Sequence, residues 1–205
     1  MKKTTLLYIL SIVLSMSTAS FAQNGKPTNY VSVAGPITFE NTAYNLSWSA
    51  HPAANFYKQE YLPKGANADK YSTMLLLDVV TGETTAKEAV ATKTAELKRM
   101  KESNPMVNYD VITNAKTGEY LIDLLVSANA PDGSISIVER NVYRYKSFTD
   151  KAGHKGVLLF GVSTRAYGAG VTSFLTALKT NKNVLQNAVA QFTLPGIALK
   201  NQKAS

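Results

Sequence analysis

Between Met106 and Tyr167 the chain passes through four stretches rich in β-branched and aromatic residues, separated only by short clusters of turn formers. The stretches are Met106 to Thr113, Glu119 to Ala128, Ser134 to Phe148 and Lys155 to Tyr167. Asn114-Ala-Lys-Thr-Gly118, Pro131-Asp-Gly133 and Thr149-Asp-Lys-Ala-Gly153 lie between them. A parallel pair of strands needs a crossover of a dozen residues or more, whereas links this short join only antiparallel neighbours. The segment is therefore expected to form a four-strand antiparallel meander. Tyr120 to Val126 carries bulky apolar groups on both faces, which predicts a central strand covered on both sides.

Upstream, Tyr44 to Ala50 alternates apolar and polar residues, the pattern of a half-buried strand, and places Trp48 in the core. Ile37 to Glu40 precedes it across an expected hairpin bend at Asn41-Thr42-Ala43, and Phe56 to Leu62 and Thr73 to Val80 are further strands. The period then changes. From Ala86 to Glu102 the apolar residues Ala86, Ala89, Val90, Leu97 and Met100 fall at helical spacing, and Thr85 with Glu88 forms a capping box at the start. Pro105 ends this helix, because proline disfavours helical geometry in the residue before it. A last helical stripe runs from Thr172 to Phe192, with a kink or a break expected at the weak helix formers Thr180 to Asn183. The sum is an α+β domain, an antiparallel β-sheet of about seven or eight strands packed by two helical regions.

The first 22 residues read as a secretory leader. Lys2 and Lys3 supply the positive start, Leu6 to Met16 an apolar run too short for a membrane span of about 20 residues, and Ser17 to Ala22 the small side chains of a cleavage site. Cleavage after Ala22 predicts a protein of the periplasm or the medium, with no transmembrane segment remaining. The chain has no cysteine, which excludes lipidation at the new terminus, disulfides and thiol chemistry. The expected boundaries are 1–22 for the signal peptide, 23–29 for a disordered lead-in, 30–197 for a single α+β domain and 198–205 for a loose tail.

The order of strands, helix, four-strand meander and C-terminal helix resembles the Mog1/PsbP-like fold, an antiparallel sheet sandwiched by helices. The string Tyr57-Lys-Gln-Glu60-Tyr61-Leu-Pro63-Lys-Gly65, leading to Tyr71-Ser-Thr-Met74, is similar to a segment of uncharacterised bacterial exported proteins. The resemblance implies an architecture and carries no catalytic role to any residue.

Motifs for chemistry are scarce. His51 and His154 read as solvated turn residues, with no spaced ligand pattern around them, so no metal and no cofactor is expected. Tyr167-Gly168-Ala-Gly170-Val-Thr-Ser173 lacks the following strand and the acid of a dinucleotide site. Gly161-Val-Ser163-Thr-Arg165 lacks the second glycine of a nucleophile elbow. Asp123, on a strand face with Leu121 and Leu125, is the acid worth testing: either a carboxylate of raised pKa with a catalytic role or an ion-paired structural group. Charge says more. From Lys151 onward there are seven cations, including Arg165, Lys179 and Lys182, and no acid, whereas the two signs nearly balance before it. If these residues share a surface, it would attract an anionic lipid, a glycan or an acidic protein face; nucleic acid is not expected. Tyr143 and Tyr145 alternate with Arg144 and Lys146, which puts aromatics on one strand face and cations on the other.

These features predict an exported binding or interaction protein, with no catalytic residue assigned and Arg140, Arg144, Arg165, Lys179 and Lys182 as its binding residues. The alternatives are a carboxylate-dependent hydrolase of envelope polymers and a structural or assembly subunit.

Overall fold

Strands β1 (Ile37–Phe39), β2 (Thr42–Ala53), β3 (Phe56–Pro63) and β4 (Thr73–Thr81) run up and down in sequence order. Helix α1 (Ala86–Ser103) follows, then the meander β5 (Asn108–Asn114), β6 (Glu119–Asn129), β7 (Ile135–Thr149) and β8 (Lys155–Tyr167), and helix α2 (Gly170–Gln191). The computed structural model describes residues 26–33 and 35–199; the leader, its cleavage point at Ala22 and residues 23–25 of the lead-in lie outside them.

The two meanders join in one eight-stranded sheet of order β1-β2-β3-β4-β8-β7-β6-β5, in which every neighbouring pair is antiparallel. The junction is β4 against β8, in register from Thr73↔Thr164 to Thr81↔Gly156. Helix α1 carries the chain from β4 to the far edge across one face, and α2 returns over the other, so both pack on β6, β7 and β8. Under α1 the stripe Ala86, Ala89, Val90 and Leu97 meets Ile122, Leu124, Val126, Tyr143 and Tyr145. The opposite face buries Leu75, Leu77, Leu121, Val142, Leu158, Phe160 and Val162 with Val189 of α2. The α+β architecture, the four-strand meander and the capping box are as read: Thr85 Oγ1 accepts from the Glu88 N–H at 3.2 Å, and the Glu88 carboxylate accepts from the Thr85 N–H at 2.9 Å.

Several local expectations are corrected. The first hairpin turns at Glu40 and Asn41, both at positive φ (45° and 60°), because a two-residue turn with that geometry matches the twist of the strands it joins. A register shift between Leu46 and Trp48 moves Trp48 to the α1 face, opposite Glu60; it is half-buried, and Ser49 takes the buried place on the other face. Strand β5 begins at Asn108, not Met106, since Asn104 receives the Met106 N–H on its side chain and the Val107 N–H on its carbonyl, holding a turn there. Strand β6 is covered on both faces but lies second from the sheet edge. Helix α2 runs unbroken through Thr180 to Asn183: propensity differences of at most about 0.7 kcal/mol per residue yield to packing along the whole stripe. His51 lies on β2 and not in a turn, its ring stacked on Tyr57 at 4.3 Å. Of the tail expected to be loose, residues 200–205 lie outside the described residues, and 198 and 199 are held: the Ala198 N–H donates to the Val31 carbonyl and the Leu199 N–H to Asp150 Oδ2.

Candidate functional site

The residues singled out for binding divide between the two faces of the sheet. Alternation along β7 aims Arg140 and Arg144 at α2, and alternation along β8 aims Arg165 at the other face. On that other face the Arg165 guanidinium pairs with Glu139 and lies over the Tyr71 ring, 4.3 Å from its centroid. Glu139 is saturated further by Asn141 Nδ2 at 2.8 Å and the Tyr71 hydroxyl at 3.3 Å.

On the α2 face the arginines face inward. Arg140 donates through Nε and Nη2 to the two oxygens of Asp123, both at 2.9 Å, and Nη2 also reaches the Lys182 carbonyl at 2.5 Å. Gln186 Nε2 donates to Asp123 Oδ2 at 2.7 Å. Both carboxylate oxygens of Asp123 are therefore engaged, and the group acts as an anchor between β6, β7 and α2. Four residues further along β7, Arg144 repeats the device: Nε donates to Glu119 at 2.7 Å, and Nη1 donates to the carbonyls of Val189 and Phe192. Those carbonyls end α2, whose last turn holds no cation of its own, so β7 supplies the positive charge that a helix C-terminus favours.

Arg140, Arg144, Arg165 and Lys182 meet Asp123, Glu119, Glu139 and Asp110, acids that lie earlier in the chain and that the fold returns to the same surfaces. Of the described cations after Lys151, Arg165, Lys182 and Lys155 are paired in this way, the last with Glu83. Among the described residues, Lys179 has no carboxylate partner, and Lys182 is bound only to the exposed Asp110 on β5.

A groove lies on each flank of α2. One, of about 350 Å³, opens between α2 and the β5–β6 edge, with Tyr109, Leu125, Leu175 and Leu178 on its walls and Lys179, Lys182, Asp110 and Asp123 around it. The other, of about 240 Å³, lies toward β8 and is lined by Phe174, Leu178, Val184 and Leu185 with Arg140 and Thr164. The first holds three of the residues picked from sequence. The apolar walls it needs, Tyr109 and Leu125, gave no signal of their own, since each reads as an ordinary strand residue.

Among the described residues no group of His, Asp and Glu is arranged to hold a metal ion, and no helix is long and apolar enough to cross a membrane. His154 Nδ1 bonds Asp150 Oδ2 at 2.9 Å, and the Asp150 carboxylate also accepts the N–H groups of Ala152, His154 and Leu199. The imidazole and these backbone donors hold its pKa down at about 2. A protein-family model matches residues 31–194, a span that takes in the whole sheet and both helices. No curated protein and no solved structure matches the chain.

Proposed function

The chain belongs to the family whose model matches residues 31–194, and from that premise we propose an exported, non-enzymatic binding protein that holds a small amphipathic anion between α2 and the β5–β6 edge. The observation that carries this reading is the pairing of an apolar groove with two exposed lysines. Tyr109, Leu125, Leu175 and Leu178 offer an apolar body somewhere to leave water, and Lys179 offers a charge that no carboxylate of the described residues meets. Lys182 is available too, because its bond to Asp110 joins two exposed groups, and such pairs are worth no more than about 1 kcal/mol. An anionic head group would take Lys182 from Asp110 at little cost. The partner class is thus a lipid-like anion, a narrower choice than a glycan or an acidic protein face. A Mog1/PsbP-like architecture, kinship with exported bacterial proteins, and an address in the periplasm or medium after cleavage at Ala22 belong to the same proposal.

Calorimetric titration with dodecyl phosphate tests it. Saturable binding is expected, weakened about tenfold or more in the Lys179→Ala, Lys182→Ala double variant and weakened again by added salt. Dodecanol, which keeps the chain and lacks the charge, is expected to bind less tightly. Equal affinity of the parent and the double variant would overturn the reading.

A further inference from the structure

The two edges of the sheet are finished differently. At one end β1 is only three residues long, and the Glu40 and Asn41 turn follows it directly. At the other end β5 pairs with β6 along all seven of its residues, in unbroken register from Asn108↔Leu125 to Asn114↔Glu119, and among the described residues no strand lies on its outer side. A strand in that position turns a row of N–H and C=O groups outward, where another chain can continue the ladder. The devices that commonly blunt such an edge are missing from Asn108-Tyr-Asp-Val-Ile-Thr-Asn114, which has no proline, no lysine and no bulge. It carries instead Val111 and Ile112, exposed by 42% and 41%, two of the three exposed large hydrophobic residues among those described.

The occupant these features fit is a second copy of β5. Residues directly opposite in an antiparallel pair either both turn their backbone groups to the partner or both turn them away, so a two-fold pairing of a strand with itself is centred on a residue and not between two. Val111 is the middle of the seven, and centring there uses the whole strand: Asn108 meets Asn114, Tyr109 meets Thr113, Asp110 meets Ile112 and Val111 meets its own twin. A centre at Asp110 would set two carboxylates face to face, which is destabilising, and every other centre leaves strand residues unpaired. The strand's one charge, Asp110, is already matched by Lys182 of its own copy, so pairing about Val111 brings no unmatched charge to the contact. It also covers both exposed side chains. Val111 shares the α1 face with its neighbour Ile122 and packs on its twin, whereas Ile112 shares the α2 face with Leu121 and lies beside Asp110 of the other copy, diagonally across from its own twin.

We propose that two copies of the protein associate edge to edge through β5, antiparallel about Val111, so that their sheets become one. The contact does not depend on an anion bound beside α2. A single strand pair is smaller than a standard protein interface, so the association is weak and depends on concentration. The chain has no cysteine, and one introduced thiol therefore reports the register. Directly opposite Cα atoms of an antiparallel pair stand about 4.5–5.5 Å apart, within the span of a disulfide. Val111→Cys is expected to give a covalent dimer on mild oxidation with copper phenanthroline. Thr113→Cys, whose twin would lie about 14 Å away, is expected to stay monomeric under the same conditions. In sedimentation equilibrium the parent should move from monomer toward dimer as its concentration rises. Val111→Lys, which sets two cations at the axis, should remain monomeric while keeping the circular-dichroism spectrum of the parent. A parent that is still monomeric at about 1 mM overturns the proposal and leaves the edge to an extended segment of another protein. Equal cross-linking of the two cysteine variants, or a dimer that survives Val111→Lys, overturns it as well.

Discussion

Arg140 occupies a position where a charge is costly unless its donors are used, because the sheet below and α2 above keep water from it. Two parallel bonds to Asp123 and a third to the Lys182 carbonyl meet that demand. Asp123→Asn keeps the shape of the side chain and removes the countercharge, so a loss of about 3–5 kcal/mol in urea unfolding is expected. Lys182→Ala, which breaks the exposed pair with Asp110, should cost less than about 1 kcal/mol in the same measurement. Equal losses would show that the docking of α2 does not depend on the buried pair. Read from the sequence, Asp123 was an acid among leucines with a structural or a catalytic meaning. Its partners are 17 and 63 residues away along the chain, a separation that no local pattern encodes.

The two helices solve the same end problem by different means. Helix α1 carries its own N-terminal solution in the Thr85 and Glu88 pair, and Thr85→Ala is expected to destabilise the protein by about 1 kcal/mol, read from the chemical-denaturation midpoint. Helix α2 has no side-chain cap at Ala169 and borrows Arg144 from β7 for its C-terminus. The segment after α2 is held in turn by Phe192, which stacks on Phe160 at 4.6 Å, and by the bond from Leu199 to Asp150. The Asp150 carboxylate titrates at about 2 in the folded protein, below the ordinary value near 4. A carboxylate depressed in this way contributes its stabilisation fully above the ordinary value and loses it as pH falls through the folded one. The Leu199 amide should therefore stay protected from hydrogen exchange at neutral pH and lose protection as the pH approaches 2. Protection unchanged down to that pH would count against the Asp150 clip.

At the scale of the whole molecule, the join of β4 to β8 makes one body of two meanders, and rows of paired residues, from Trp48 to Tyr143 and from Lys58 to Tyr145, cross that join. Trp48 belongs to the first meander, and both helices pack on the second. Unfolding followed by tryptophan fluorescence and by the helical circular-dichroism signal should therefore give coincident transitions. Separated midpoints would mean that the meanders unfold independently. Much of this architecture was legible because its causes are local: short turns force antiparallel neighbours, side-chain period separates strand from helix, and Thr85 with Glu88 marks a helix start. The errors cluster where one residue alters register or where packing outweighs propensity, as at the shift that turned Trp48 to the other face and along the unbroken α2. The candidate sites were less legible, and the reason is electrostatic. The sequence by itself determined the elements, their antiparallel order and the number of charges; only the tertiary structure decided which charges meet, because Coulombic pairing depends on separation in space. Folding thus turned Arg140, Arg144 and Arg165 into supports, left Lys179 and Lys182 beside a groove, and gathered Asp78, Tyr143 and Tyr145 from two strands onto one face.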